Sequence, residues 1–373
     1  MRLQLLVLII ILISIAFVYG VTVGLYEIFP YDILNNFKDT FYNDLPKDNF
    51  SISNIEISEL ESLVLLKNHS DIEQKRILLL DFIWKENIPH DDLPNQVEKN
   101  ITDNTFENLN NLKQIDKIYV EMEYGVDSTV YHFIPESTNN KLIIFHTGHA
   151  GGFRDDVGII QKFLDNQYSV LAFSMPLHGM NNQPIINDPN FGKIHLVNHN
   201  SFNLIEDENF TPMKFFVQPI FITLNYVDQN YSYESINMIG LSGGGWTTTI
   251  YAALDDRISK SFPVAGSLPI FLRMESKDIG DYEQTHEKFY RIANYLELYI
   301  LGSYGENRKQ FQFFNKFDPC CFSGTLSNTY SDFIKNRLSE LGSGEFDTYI
   351  DESNKTHTIS QKILDKIINE INN

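Results

Sequence analysis

The hydrophobic pattern changes at about residue 115, where short apolar runs begin to alternate with stretches of helical spacing. Two β-rich runs at 115–123 and 128–135 flank a turn-like segment and predict a hairpin. The next six apolar runs are typical of strands buried on both faces. These predicted strands lie at 141–145, 168–174, 235–241, 258–265, 310–317 and 346–351. Helical spacing is found at 155–166, 214–229, 245–254 and 360–371. The alternation predicts an α/β fold with a mostly parallel sheet covered by helices on both sides.

Two stretches interrupt this alternation. Residues 177–212 are long, polar and contain histidines, and residues 267–305 include a charged segment with helical spacing at 281–298. We expect both to be insertions over the carboxyl ends of the strands.

The preceding part of the chain, residues 28–114, is polar, acidic and rich in asparagine. Segments at 59–67 and 71–86 have helix-like spacing, and proline and asparagine residues between them indicate loops. We expect a helical extension that packs on the domain at 115–373 or connects it to a membrane.

The amino terminus has a different character. Residues 3–25 carry Gln4 as the one strongly polar side chain, and such a helix is long enough to cross the roughly 30 Å hydrocarbon core. Arg2 precedes the run, whereas Glu27 and Asp32 follow it, which favours a cytoplasmic amino terminus and an exported body. The pattern therefore predicts a transmembrane signal-anchor over residues 1–27 and a membrane-anchored protein with an exported catalytic domain.

Two alternatives for this segment stay open. A signal peptide would use a shorter apolar stretch with small residues near the cleavage site, and Val18 and Gly20 fit that pattern weakly. The protein would then be secreted after cleavage. The other alternative is a buried hydrophobic helix.

Composition and charge restrict the class of protein. Hydrophobic residues make up 43% of the 373 residues, enough for a sizeable core. The net charge is −20 and no basic run is present, so we expect no nucleic-acid partner. Cys320 and Cys321 are adjacent and no Cys or His spacing resembles a zinc site. Two packed thiols are the favoured interpretation, and a disulfide between these neighbours is the alternative.

A nucleophile candidate lies between the predicted strand at 235–241 and the following helix. The sequence Gly240-Leu241-Ser242-Gly243-Gly244 matches the G-x-S-x-G pattern. A serine on a sharp strand-to-helix turn needs small neighbours, which the glycines supply. A plain Gly/Ser loop that grips phosphate is the alternative, but Trp246 stands where a phosphate-binding loop would place a lysine.

A serine hydroxyl needs a base, and His357 lies in the loop between the last strand and the last helix. Asp318 ends the predicted strand at 310–317 and is the favoured acid, because its carboxylate there can orient the imidazole. Asp332 and Asp351 are the alternatives for the acid. A surface-loop role is the alternative for His357. His146 and His178 are expected to be structural or to line the site.

Acyl transfer also needs donors for the carbonyl oxygen that becomes negative. The backbone N–H of Gly243, directly after the nucleophile, is one expected donor. The other is expected from the glycine-rich loop after the strand at 141–145, at His149 or, next, Ala150. A turn that requires positive φ explains the same glycines.

Taken together, these residues resemble the α/β-hydrolase superfamily. The loop 145–152 looks like its His-Gly oxyanion loop, 174–179 looks like the loop after its fourth strand, and 240–244 matches its nucleophile elbow. Asp318 and His357 follow in the order that the family uses. Two departures are an additional Thr147 in the His-Gly motif and the lack of a counterpart for the first 114 residues.

The resemblance implies an eight-stranded, mostly parallel sheet and a serine hydrolase of the esterase or prolyl-oligopeptidase-like branch. A serine carboxylesterase that acts on a small-molecule ester is the leading expectation, with no metal and no organic cofactor required. A serine peptidase of the same fold and a non-catalytic binding scaffold are the alternatives.

Overall fold

The computed structural model describes residues 12–23, 57–85, 87–273 and 279–373. Contacts divide the chain into two units, Met1–Asn54 and Ile55–Asn373. In the first unit, residues 12–23 form a helix (α1) with mostly exposed side chains. Within the described ranges, no helix has the length and apolar character needed to cross a membrane. The rest of the predicted span lies outside the described residues, as do residues 28–56.

The second unit is built around one large sheet. Its strand order is β1-β2-β3-β5-β4-β8-β9-β10-β11, and all neighbours from β5 to β11 are parallel. The strands at the other edge, β1, β2 and β3, pair antiparallel. The described strands are β1 Gln96–Glu98, β2 Leu112–Val120, β3 Ser128–Pro135, β4 Lys141–His146, β5 Ser169–Phe173, β6 Ile185–Asp188, β7 Gly192–His195, β8 Ser235–Leu241, β9 Ile258–Val264, β10 Lys309–Asn315 and β11 Glu345–Asp351.

Helices cover both faces of this sheet. The remaining described α-helices are α2 Ile57–Leu63, α3 His69–Trp84, α4 Val157–Asp165, α5 Lys214–Asn230, α6 Gly243–Leu254, α7 Tyr282–Thr285, α8 Glu287–Ile292, α9 Tyr295–Ser303, α10 Ser331–Leu341 and α11 Gln361–Asn372. The apolar sides of α4 and α11 join one core with the strands. Every residue of α6 is buried, because it packs on β8 and β9 and is covered by helices α3, α5 and α9.

The predicted hairpin and six parallel strands are all present, but the prediction of eight strands was wrong by one. The three residues of β1 pair antiparallel with β2 and extend the sheet at its edge. A polar segment this short has no hydrophobic periodicity, so the sequence pattern did not predict this strand. Because β1 lies within 28–114, this region is not only a helical extension.

Helix α3 of this region packs on the domain that carries the sheet. Arg76 Nε donates to the carbonyl of Ala253, and Trp84 Nε1 donates to Gln218 Oε1 at 2.9 Å. Trp84 is 3% exposed. One side of helix α3 is therefore packed against α5 and the end of α6.

Only one of the two predicted insertions lies entirely outside the alternation of strands and helices. Residues 177–212 hold the β6–β7 hairpin and a 3-10 helix at His199–Leu204, outside the main sheet. For 267–305 the prediction was wrong at its carboxyl end. Helix α9 is fully buried and packs on α6, so it is the crossover that a right-handed connection from β9 to β10 requires.

Candidate active site

Ser242 occupies the sharp turn between β8 and α6. Its backbone has φ 56° and ψ −122°, a conformation that costs a non-glycine residue about 1–3 kcal/mol. The neighbouring glycines make the turn sterically feasible. A Cβ on Gly240 would lie 2.1 Å from the carbonyl oxygen of Gly244, and one on Gly244 would lie 2.1 Å from that of His146. The strained serine and its glycines therefore form a turn with the geometry predicted from the sequence.

The backbone around Ser242 is fixed from both sides. Its N–H donates to Val264 on the neighbouring strand β9, and its carbonyl accepts from the N–H of Trp246 in the first turn of α6. Gly243 is the first residue of that helix. The first N–H groups of a helix have no intrahelical acceptor and concentrate positive charge. Ser242 thus stands next to donors suited to a negative oxygen.

Asp318 and His357 are in direct contact. His357 Nδ1 lies 2.9 Å from Asp318 Oδ2, and the Asp318 carboxylate is buried. The other oxygen, Oδ1, accepts from the backbone N–H groups of Cys320 and Cys321 at 2.9 and 3.2 Å. Burial opposes ionisation, but these hydrogen bonds, above all that of His357, hold the pKa of Asp318 below its usual range. A charged carboxylate therefore orients the imidazole.

The alternative acids have other surroundings. Asp351 ends β11 and accepts from Ser353 and Ser360, so its carboxylate stabilises the loop after the strand. Asp332 is exposed on α10. Of the three acids considered, Asp318 is the one whose carboxylate the structure places on His357.

The second ring nitrogen of His357, Nε2, is not used by any hydrogen bond among the described residues. Nε2 is buried and has no hydrogen-bond partner among the described residues, so the Ser242 hydroxyl does not hydrogen-bond to it here. Catalytic hydrogen bonds are often long without substrate and tighten in the Michaelis complex. Ser242 and Asp318 follow β8 and β10, two strands of the same parallel set, at the same edge of the sheet.

The adjacent cysteines form a disulfide, so the prediction of two packed thiols was wrong. The bond lies in the turn after β10, where the backbone N–H groups of both cysteines hold the Asp318 carboxylate. Sequence spacing cannot show this, because either redox state suits two neighbouring cysteines.

The loop after β4 lies against the nucleophile. A Cβ on Gly148 would be 2.8 Å from both Ser242 Cβ and the Leu241 carbonyl oxygen, so only glycine allows this approach. The ring of His149 lies beside Gly243, where an added Cβ would be 2.5 Å from His149 Cε1. The predicted donors Gly243, His149 and Ala150 thus belong to two segments that meet at Ser242.

Two further histidines surround this loop. His146 is buried, stacks on Phe173 and has Nδ1 2.9 Å from the Thr147 carbonyl oxygen. Burial lowers the pKa of His146 to about 4. His178 Nδ1 lies 2.9 Å from the Pro176 carbonyl oxygen, and burial lowers its pKa as well. Both are neutral at pH 7, which suits residues that build the wall of the site.

Sequence reasoning missed a polar cluster beside His149. His149 Nε2 lies 3.2 Å from His199 Nδ1, 3.0 Å from Glu283 Oε1 and 3.2 Å from Asp281 Oδ2. Burial opposes the charge of Glu283, but the two imidazoles hold its pKa well below its usual range. These residues come from separate segments of the chain, so no motif could reveal them.

The sheet order, the strained serine after β8 and the following Asp–His pair define an α/β-hydrolase fold. No protein-family model and no curated protein matches the sequence. Among solved structures, the fold is similar to an acetyl xylan esterase from Paenibacillus sp. R4 (16% identity, TM-score 0.55), with 84% of this chain and 99% of that chain covered.

Two further structures support the same fold. Acetyl xylan esterase 1 from Thermoanaerobacterium sp. JW/SL YS485 is 14% identical with a TM-score of 0.52, covering 85% of this chain and 98% of that one. Methylesterase BT1017 is 12% identical with a TM-score of 0.56; 84% of this chain aligns with 66% of that protein. At these identities the similarity establishes the fold.

Proposed function

We propose that this protein is a serine esterase that cleaves a carboxylic ester through an acyl-enzyme. Ser242 Oγ attacks the ester carbonyl, His357 Nε2 takes the hydroxyl proton and passes it to the leaving alcohol, and Asp318 stabilises the imidazolium. Water then attacks the acyl-enzyme with His357 as base. The observation that carries the proposal is the buried Asp318–His357 hydrogen bond at the sheet edge where the strained Ser242 stands.

The developing oxyanion needs at least two donors. The N–H of Gly243 opens helix α6, and the N–H of His149, or that of Ala150, comes from the loop that touches Ser242. Each well-placed donor lowers the barrier by about 3–4 kcal/mol. The esterases among the fold neighbours are consistent with an ester as substrate.

The test is hydrolysis of short-chain nitrophenyl esters by the wild type and by Ser242→Ala. We expect the variant to lose at least about 10³-fold in kcat, because the acyl-enzyme can no longer form. Ser339→Ala, at an exposed position of helix α10, is the control and should retain wild-type activity. A loss of less than tenfold in Ser242→Ala contradicts the proposal.

A fluorophosphonate probe separates the esterase from a binding scaffold. We expect a covalent adduct on Ser242 in the wild type, found by peptide mass spectrometry, and none in Ser242→Ala. A folded wild type without the adduct favours the scaffold. Faster turnover of a peptide amide than of the matching ester would favour a peptidase.

For the cellular location, we propose that residues 1–27 anchor the protein in a membrane and that the catalytic domain at 115–373 is exported. The apolar run at 3–25 and the charges around it support this orientation. Carbonate extraction and protease protection of the full chain in microsomes test it. Release of a shortened protein into the lumen would instead indicate signal cleavage and secretion.

A further inference from the structure

Four side chains converge beside the nucleophile and are not used by the proposed ester hydrolysis. They are contributed by the loop after β4 (His149), the 3-10 helix at His199–Leu204 (His199) and the start of α7, with Asp281 directly before the helix and Glu283 within it. One ligand-type atom of each residue lies within 4.8 Å of the other three. Three segments that are distant in sequence thus direct nitrogen and carboxylate oxygen atoms to one point.

The buried carboxylate of Glu283 needs a positive charge beside it. Its side chain is 0% exposed, and its oxygens face His149 Nε2 at 3.0 Å and His199 Nδ1 at 3.1 Å. Asp281 adds a second carboxylate oxygen 3.2 Å from His149 Nε2. A buried carboxylate must be paired with a cation or coordinate a metal.

The ring of His199 is oriented as a metal ligand would be. Its Nε2 lies 2.9 Å from the Pro176 carbonyl oxygen, so this nitrogen carries a proton and donates it. In the neutral ring, Nδ1 therefore directs a lone pair at the cluster. Metal-bound histidines typically donate their other N–H to a backbone carbonyl in this way.

A set of protons and a cation are the two ways to satisfy this cluster. In a protonated cluster, His149 Nε2 and His199 Nδ1 each donate to a separate oxygen of Glu283, at 3.0 and 3.1 Å. Because His199 Nε2 also donates to the Pro176 carbonyl, His199 then carries a proton on both ring nitrogens. With a cation at the centre, both nitrogens present lone pairs to it and its charge pairs with Glu283. The metal content of the chain separates the two states.

We propose that His149, His199, Asp281 and Glu283 bind a divalent transition-metal ion, with zinc as the ion that fits best. Zinc–nitrogen and zinc–oxygen bonds of about 2.0–2.2 Å in a tetrahedron place neighbouring ligand atoms about 3.3–3.6 Å apart. The separations of 3.0–3.2 Å found among these atoms need only small movements to reach that geometry. Two imidazoles with two carboxylates are ligands that zinc accepts.

The ion would tie the loop after β4 to the two segments that cover the site. Tyr290, which donates to the Glu283 carbonyl, also accepts from Trp246 Nε1 of helix α6. The same ion holds the His149 ring beside Gly243. We therefore assign it a structural role that positions the oxyanion loop, an effect on hydrolysis that rests on the proposed function.

The first test is the metal content of the full chain, purified without chelators and measured by inductively coupled plasma mass spectrometry for manganese, iron, cobalt, nickel, copper and zinc. We expect about one ion per chain in total, mostly zinc. Dialysis against a chelator should remove it and lower the Tm by about 5 °C or more, and zinc should restore the Tm. No substrate is involved, so a failure of the ester proposal leaves this test unaffected.

Variants locate the ion. His199→Ala and Glu283→Gln should each hold less than about a tenth of an ion per chain, because a four-coordinate site loses one ligand. The matched control is Glu206→Gln, which alters a nearby, partly buried histidine–carboxylate pair, His286 Nε2 to Glu206 Oε2 at 2.6 Å. This control should keep the wild-type metal content.

Cobalt provides a readout that does not depend on the variants' folding. Reloading the metal-free wild type with Co²⁺ should produce the strong visible absorption of tetrahedral cobalt. A wild type that holds no ion and takes up neither Zn²⁺ nor Co²⁺ overturns the proposal. So does unchanged metal content in folded His199→Ala and Glu283→Gln.

Discussion

At the scale of the residue, Asp318 and Asp351 are distinguished by their hydrogen-bond partners and not by their positions along the chain. Asp318 lies in the turn after β10 and Asp351 ends the adjacent strand β11, and both carboxylates are buried. Asp318 receives two backbone N–H groups on one oxygen and His357 on the other. Each carboxylate oxygen therefore has a separate task.

This division of tasks predicts the effect of Asp318→Asn. The amide oxygen must remain on the N–H groups of Cys320 and Cys321, so the amide NH₂ faces His357 Nδ1. His357 then carries its proton on Nε2 and cannot accept the Ser242 proton. We expect kcat for nitrophenyl esters to fall by about 10⁴-fold.

The control for this substitution is Asp332→Asn, at the exposed alternative acid on α10, which should retain wild-type kcat. Equal effects of the two substitutions would contradict the assignment of Asp318.

A buried histidine away from the site predicts how stability depends on pH. His132 on β3 is 0% exposed, and burial lowers its pKa to about 4. Between about pH 6.5 and 4 the unfolded chain binds a proton at this residue and the folded chain does not, so stability falls as the pH falls. His132 should account for about 2–4 kcal/mol of that loss.

Chemical denaturation of wild type and His132→Phe from pH 7 to 4 measures this contribution. The variant should show a shallower decrease of the unfolding free energy through this window, whatever its stability at pH 7. An identical slope would show that His132 does not titrate differently in the two states.

At the scale of the element, the turn between β8 and α6 is specified by steric exclusion. The glycines at 240 and 244 leave no room for a Cβ, because backbone atoms of facing segments occupy that space. The sequence could predict this turn because the serine and its glycines are contiguous, although the backbone that excludes a Cβ at Gly244 belongs to β4. It could not predict β1, whose pairing with β2 depends on a neighbouring strand.

The close approach at Gly244 predicts a large cost for Gly244→Ala. The new Cβ would lie 2.1 Å from the backbone oxygen of His146, so β4 or α6 must move. We expect the free energy of unfolding to fall by about 3 kcal/mol or more. Urea denaturation measures it without reference to activity.

The matched control is Gly158→Ala in the exposed part of α4, where an added Cβ meets no atom within 4 Å. There alanine should stabilise the protein by about 0.5–1 kcal/mol. Similar changes in both variants would contradict the steric explanation.

At the scale of the whole molecule, the predicted boundary at residue 114 does not separate two independent domains. Helix α3 buries Leu79 and Trp84 and donates from Arg76 to α6, and β1 completes the sheet edge. In contrast, the unit Ile55–Asn373 contains its own core. Phe106, from the predicted extension, also belongs to the same core as the strands. The described parts of 28–114 and 115–373 therefore pack together.

Two truncations test this. Residues 55–373 should fold with a Tm within about 3 °C of the full chain, since the unit keeps its core. Residues 115–373 lose α3 and β1, expose apolar surface and should aggregate or lose more than about 10 °C in Tm. Thermal unfolding and size-exclusion chromatography measure both, and equal stability of the two fragments would contradict this account.

The sequence by itself determined the features that depend on neighbouring residues: the strand–helix alternation, the glycine-lined turn at Ser242 and the order of serine, acid and histidine. Periodicity and the G-x-S-x-G spacing extend over a few residues and can be read directly. Only the tertiary structure decided which acid meets His357, that Tyr295–Ser303 is a crossover helix, and that His149 meets Glu283, 134 residues further along the chain. Such contacts depend on how separate segments pack, and no local pattern encodes that.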